Sequence, residues 1–131
     1  MKKIIFACVH NAGRSQMAAA FFNNLCDPLK MQAISAGTNP ASSVHPVVME
    51  AMQEMDIDLS SAKPRKLDEE LCREATLLIT MGCQENCPYV PGLEIRDWPF
   101  PDPKGQGIED VRKTRDAIKE KVLVLISQYS E

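Results

Sequence analysis

The chain has 131 residues, 44% hydrophobic and 25% charged, with a formal net charge of −3. That length suits one domain with its own core, spanning residues 1–131. The acidic balance gives no sign of nucleic acid as a partner, and an anionic substrate would have to be drawn in by a local site.

Met1-Lys2-Lys3 before Ile4–Val9 imitates the opening of a signal peptide. The apolar run is about six residues, short of the ~7–15 of a secretory core, and no stretch approaches the ~18 apolar residues of a membrane span. A cytoplasmic protein without membrane contact is expected. The 5 cysteines are then not a disulfide scaffold. Some should be redox-active or catalytic and the rest small core residues.

Ile4–Ala7 reads as a buried strand ending at Cys8. A helix should follow from about Ser15 to Cys26, with Ala18, Phe21, Phe22 and Leu25 facing the sheet and Pro28 preventing its continuation. Met31–Ser35 reads as a second strand, closed by Ala36-Gly37. Pro46 fits the first turn of a helix whose stripe is Val47, Val48, Ala51, Met52 and Met55. His45 reads as a loop or cap residue. Lys63, Arg65 and Lys66 form a basic loop, read as a solvated face. A short helix over Leu67–Glu74 carries acidic residues early. Thr76–Met81 is apolar enough for a central parallel strand. Leu93–Ile95 gives a fourth strand. Ile108–Tyr129 gives the longest helix, with Ile108, Val111, Ile118, Val122, Leu125 and Tyr129 on one stripe. Strands alternating with helices predict a single-core α/β domain with a parallel sheet and helices on both faces.

The stretch between the first strand and the first helix is Cys8-Val9-His10-Asn11-Ala12-Gly13-Arg14-Ser15. Its backbone amides can converge on one point, and the helix N-terminus adds partial positive charge. Arg14 can fork two donors onto two oxygens. Cys8, in the same field, is expected to be a thiolate near neutral pH, placed as an in-line nucleophile beneath a bound oxyanion. Cys-x5-Arg alone is a weak signal, since a buried structural cysteine also fits a strand end. The preceding strand, Gly13, the adjacent Ser15 and the following helix strengthen it. Cys83 and Cys87 form a second grouping at the end of the third strand, where open α/β sheets place their sites. Half of a zinc site is a competing reading there, but no second Cys/His pair completes four ligands, and no metal is expected.

The run CVHNAGRSQMA resembles the low-molecular-weight protein tyrosine phosphatase superfamily, and Ser-Gln-Met after the arginine resembles its arsenate reductase branch. The resemblance runs along nearly the whole chain. It implies four parallel strands in the order 2-1-3-4. It implies that Val9, His10, Asn11, Ala12, Gly13, Arg14 and Ser15 hold the oxyanion, and that Ser35 supports the loop by bonding Asn11. It implies that Asp102, in Asp102-Pro103, is the general acid, with Asp97 as the rival carboxylate. Family phosphatases commonly carry a tyrosine after that proline; Lys104 stands there. Ala19 and Arg65 occupy the places of the family's cation ligands, so no potassium site is expected.

The extra cysteines resemble those of the reductases. They imply that Cys8 attacks arsenate, that Cys83 attacks Cys8 to release arsenite, and that Cys87 carries the disulfide outward. Thioredoxin, or a low-molecular-weight thiol with a glutaredoxin-like protein, would be the reductant. Phosphate and sulfate would compete for the loop, and no cofactor is expected. The function implied is arsenic detoxification with possible residual phosphatase activity. The alternatives are a tyrosine phosphatase and a non-catalytic phospho-ligand module.

Overall fold

A computed structural model describes residues 2–81 and 92–129. Its elements are β1 (Lys2–Cys8), α1 (Arg14–Leu25), β2 (Met31–Gly37), α2 (Pro46–Gln53), α3 (Glu69–Arg73), β3 (Leu77–Thr80), β4 (Glu94–Asp97) and α4 (Ile108–Tyr129). The strands form one sheet in the order β2-β1-β3-β4, as the resemblance implies. All three pairings are parallel, with Cys8 opposite Gly37, Ala7 opposite Thr80, and Thr80 opposite Asp97.

The strand sequences explain why the sheet is covered on both faces. In β1, Ile4, Phe6 and Cys8 point to one face, while Ile5 and Ala7 point to the other, and all five are buried. A strand buried on both sides reads as a continuous apolar run and suits the interior of a parallel sheet. The larger core packs α1, α2 and α4 on the first face through Phe21, Phe22, Val48, Met52, Ile118 and Val122. Phe6 anchors it against Phe22 and Trp98, with ring centroids 6.1 and 5.7 Å apart. The smaller core places Cys72 of α3 against Ile5, Ala36 and Leu78. Asp68 caps α3, accepting a 2.8 Å hydrogen bond from the Leu71 amide.

The α4 stripe is wider than the apolar spacing predicts, because Thr114 and Arg115 are also buried on it. Arg115 is tolerated there because its guanidinium donates to the Ala51 carbonyl at 2.8 Å and to Glu54 at 2.7 Å. Glu54 also receives Arg112, so two arginines of α4 hold the residue that ends α2. Among the described residues no helix is long and apolar enough to cross a membrane.

Candidate active site

Parallel order sends the C-terminal ends of the strands to one edge, and the loop after β1 lies there. Every carbonyl from Cys8 to Gly13 is engaged away from the loop's centre. Cys8 accepts from the Thr38 amide at 3.2 Å, Val9 from Asn39 at 2.8 Å, His10 from Ala41 at 2.9 Å and Ala12 from His45 at 3.0 Å. The Asn11 carbonyl accepts from the Gln16 carboxamide at 3.0 Å, and that of Gly13 from the Met17 amide at 3.0 Å. Across a planar trans peptide the N–H points opposite to the C=O. Turning the carbonyls outward therefore turns the amides inward. Among the described residues, no hydrogen-bond acceptor is found for the amides of residues 10–15. The N-terminus of α1 has neither a side-chain cap nor an acidic residue in its first turn, so its positive end is left for an anion.

Asn11 is the buckle of this loop. It adopts a left-handed conformation, φ 51°, which asparagine tolerates better than most residues. Its side-chain Nδ2 donates to Ser15 Oγ at 2.8 Å. Its side-chain oxygen accepts from the Arg65 amide at 2.9 Å and from Gln16 at 3.2 Å. The expected bond from Ser35 is not among these. Ser35 lies on the face of β2 that meets α1 and shares a groove with Gln16. Gln16 and the Arg65 backbone are the partners of the Asn11 side-chain oxygen instead.

Cys8 is 2% exposed, and its sulfur lies 2.9 Å from Ser15 Oγ. Because Ser15 Oγ already accepts from Asn11, its hydrogen is free to be donated to the sulfur. Arg14 is buried; it donates through Nη1 to the Phe100 carbonyl at 3.1 Å and places Nη2 3.8 Å from Asp102 Oδ2. Its Nε is buried and unpartnered among the described residues, a costly state that an oxyanion would relieve. Asp102 is held by a 3.0 Å bond from the Lys104 amide to its Oδ1. Asp97, at the end of β4, accepts from Thr80 Oγ1 at 2.9 Å. Of the two carboxylates, only Asp102 makes an ion pair with Arg14.

Close packing makes this convergence possible. A Cβ on Gly13 would fall 2.4 Å from Pro103 Cγ, and one on Gly37 would fall 2.6 Å from the Val9 carbonyl. Glycine at these two places lets the Asp102-Pro103 segment and β2 approach the loop. His45 also packs here, with its ring Cδ2 3.6 Å from where a Gly13 Cβ would be. The sequence reading missed this neighbour; its signal was a histidine directly before the helix-starting Pro46. Cys83 and Cys87 lie outside the described residues.

Cys26 and Cys72 are free thiols away from the loop. Burial pushes both thiols up from their ordinary value; the Asp68 and Glu69 charges add to this for Cys72, and Asp27 adds to it for Cys26.

The chain is similar to known proteins along nearly its whole length. A putative arsenate reductase of Halobacterium salinarum is 37% identical over 98% of this chain and 93% of its own length. A glutaredoxin arsenate reductase of Synechocystis is 35% identical over 99% of this chain and its own full length. The structure of a thioredoxin-dependent arsenate reductase of Corynebacterium glutamicum superposes with a TM-score of 0.84 at 32% identity, over 99% of this chain; the match spans 62% of that longer chain. The family model for low molecular weight phosphotyrosine protein phosphatase matches residues 3–131. The chain belongs to the low molecular weight phosphotyrosine protein phosphatase family.

Proposed function

We propose that this chain is an arsenate reductase of the cytoplasm that works by a thiol–disulfide relay, as a single domain over residues 1–131. The observation that carries the oxyanion site is the loop of residues 8–15, whose carbonyls are tied outward around a buried cysteine. The arsenate reductases among its relatives support the choice of substrate.

The amides of Val9 to Ser15 and the Arg14 guanidinium hold arsenate. The Ser15 hydroxyl donates to the Cys8 thiolate and steadies its charge. The thiolate attacks arsenic, and Asp102 protonates the departing oxygen, which leaves as water. Cys83 then attacks the Cys8 sulfur. The S–S bond forms, the S–As bond breaks, and its electron pair stays on arsenic, which leaves as arsenite. Cys87 attacks Cys83, freeing Cys8 and leaving a Cys83–Cys87 disulfide. Thioredoxin reduces that disulfide; a glutaredoxin-like protein with a low-molecular-weight thiol is the alternative donor. The role is arsenic detoxification.

Cys8, Arg14 and Asp102 would equally serve phosphate-ester hydrolysis, and the family model favours that second reading. One assay separates them: thiol-dependent arsenite release measured beside aryl phosphate hydrolysis. Arsenite release that requires Cys8 and a dithiol reductant is expected. Aryl phosphate turnover with no arsenite release would replace the reductase reading with a phosphatase.

A further inference from the structure

We propose that His45 is a pH-dependent positioning residue of the oxyanion loop, taking up a proton when a doubly charged tetrahedral oxyanion binds and so adding a second cation to that of Arg14. This rests on the oxyanion-site reading above but not on the reduction chemistry.

The first support is place. The His45 amide donates to the Ala12 carbonyl at 3.0 Å, which fixes its backbone against the loop. The ring packs on Gly13, at the spot that Pro103 also covers. His45 precedes Pro46 at the N-terminus of α2, yet its side chain makes no capping bond. Among the described residues no hydrogen bond is found to either ring nitrogen of this half-buried imidazole.

The second support is its surroundings. The loop presents His10; the segment after β4 presents Asp102 and Lys104; and Arg14 of α1 stands beside Asp102. Burial holds the His45 pKa below the ordinary histidine value. Asp102 opposes that effect, while His10 and Lys104 reinforce it. Neutral imidazole therefore prevails near neutral pH until more negative charge arrives. A dianion in the loop brings that charge. The bound-state pKa then exceeds the free-state pKa, and binding draws in a proton between the two. Affinity falls as pH rises through that window, by at most about tenfold per pH unit for one proton.

The test uses inorganic sulfate, which stays a dianion from pH 5 to 9, so that any proton taken up belongs to the protein. Affinity is measured by calorimetry across that range, in buffers of different ionisation enthalpy, with the full chain. The wild type should weaken with rising pH in the histidine range and take up a fraction of a proton there. In His45→Gln and His45→Asn the slope and the uptake should vanish while sulfate still binds at high pH. His10→Gln should keep both. Asp102→Asn should keep the slope but move it to lower pH, because the charge that raises the His45 pKa is gone. A flat wild-type profile would overturn the proposal. So would an unchanged slope in both His45 variants, or a slope abolished by His10→Gln. If neither sulfate nor phosphate binds the wild type at any pH, the oxyanion-site reading itself fails.

Discussion

At Cys8 the decisive feature is a two-step donor chain, Asn11 to Ser15 at 2.8 Å and Ser15 to sulfur at 2.9 Å. Cys8 ends β1 directly beneath the loop's inward-turned amides, so iodoacetamide should label it, and arsenate or phosphate in the loop should block the labelling. Cys26 and Cys72, whose thiols burial holds protonated, should label slowly. Equal labelling of all three, indifferent to oxyanions, would remove Cys8 from the site. The acid is testable in the same way. Asp102→Asn should keep phosphate binding yet slow the first chemical step by ~10²–10⁴, the usual scale for a positioned acid. Asp97→Asn, whose carboxylate is tied to Thr80, should do far less. Gly13→Ala should resemble the Asp102 variant. The new methyl would meet Pro103 Cγ at 2.4 Å and push Asp102 off the loop, and for a proposed acid a ~1 Å displacement costs roughly 10²-fold.

The elements divide into those a local pattern announces and those only topology can bring together. Strand β1, the loop and the start of α1 are contiguous, so their periodicity and the Cys8–Ser15 spacing were readable from the chain itself. The α4 stripe was readable for the same reason at Val111, Ile118, Val122 and Leu125. Arg115 was not. A guanidinium at a core-facing position reads as solvated face until its partners on α2 are known. The partners of Asn11 were missed similarly: Arg65 contributes a backbone amide, which no side-chain pattern reveals, and Gln16 bonds Asn11 from the first turn of α1. The α2–α4 clamp gives a pH prediction. Its two arginines, Arg112 first, hold the Glu54 carboxyl down at about 2 from the usual 4.5. A depressed carboxyl contributes stability that is full above its unfolded value and is lost as pH falls toward the folded one. Urea midpoints should therefore fall between pH 4.5 and 2, and Glu54→Gln should flatten part of that decline. An unchanged acid profile in Glu54→Gln would mean that the clamp is fully screened.

Across the whole molecule, one sheet edge collects what the chain scatters. Cys8 ends β1, Arg65 bridges from beyond β2, and Asp102 follows β4; parallel pairing aligns the strand ends. An oxyanion in the loop would lie against the end of β1, the start of α1 and the Asp102 segment after β4, so its binding energy should appear as global stability. Phosphate at a hundred times its dissociation constant should add ~2.7 kcal/mol to unfolding, if it binds only the folded chain. That gain should be seen as a higher urea midpoint with an unchanged slope, since the surface exposed on unfolding is the same. Cys8→Ser should keep most of the gain, because in the proposed mechanism the sulfur is the nucleophile and the amides and Arg14 are what hold the anion. Arg14→Ala should lose much of it, because the unpartnered Nε is a buried donor waiting for that ligand. Arg14→Ala should also lower the midpoint without phosphate, since the bond to the Phe100 carbonyl and the pairing with Asp102 go with it. The two losses separate by titration: the structural one is present at zero phosphate, and the binding one grows with concentration. A phosphate-dependent gain that survives intact in Arg14→Ala would place the bound anion elsewhere than in this loop.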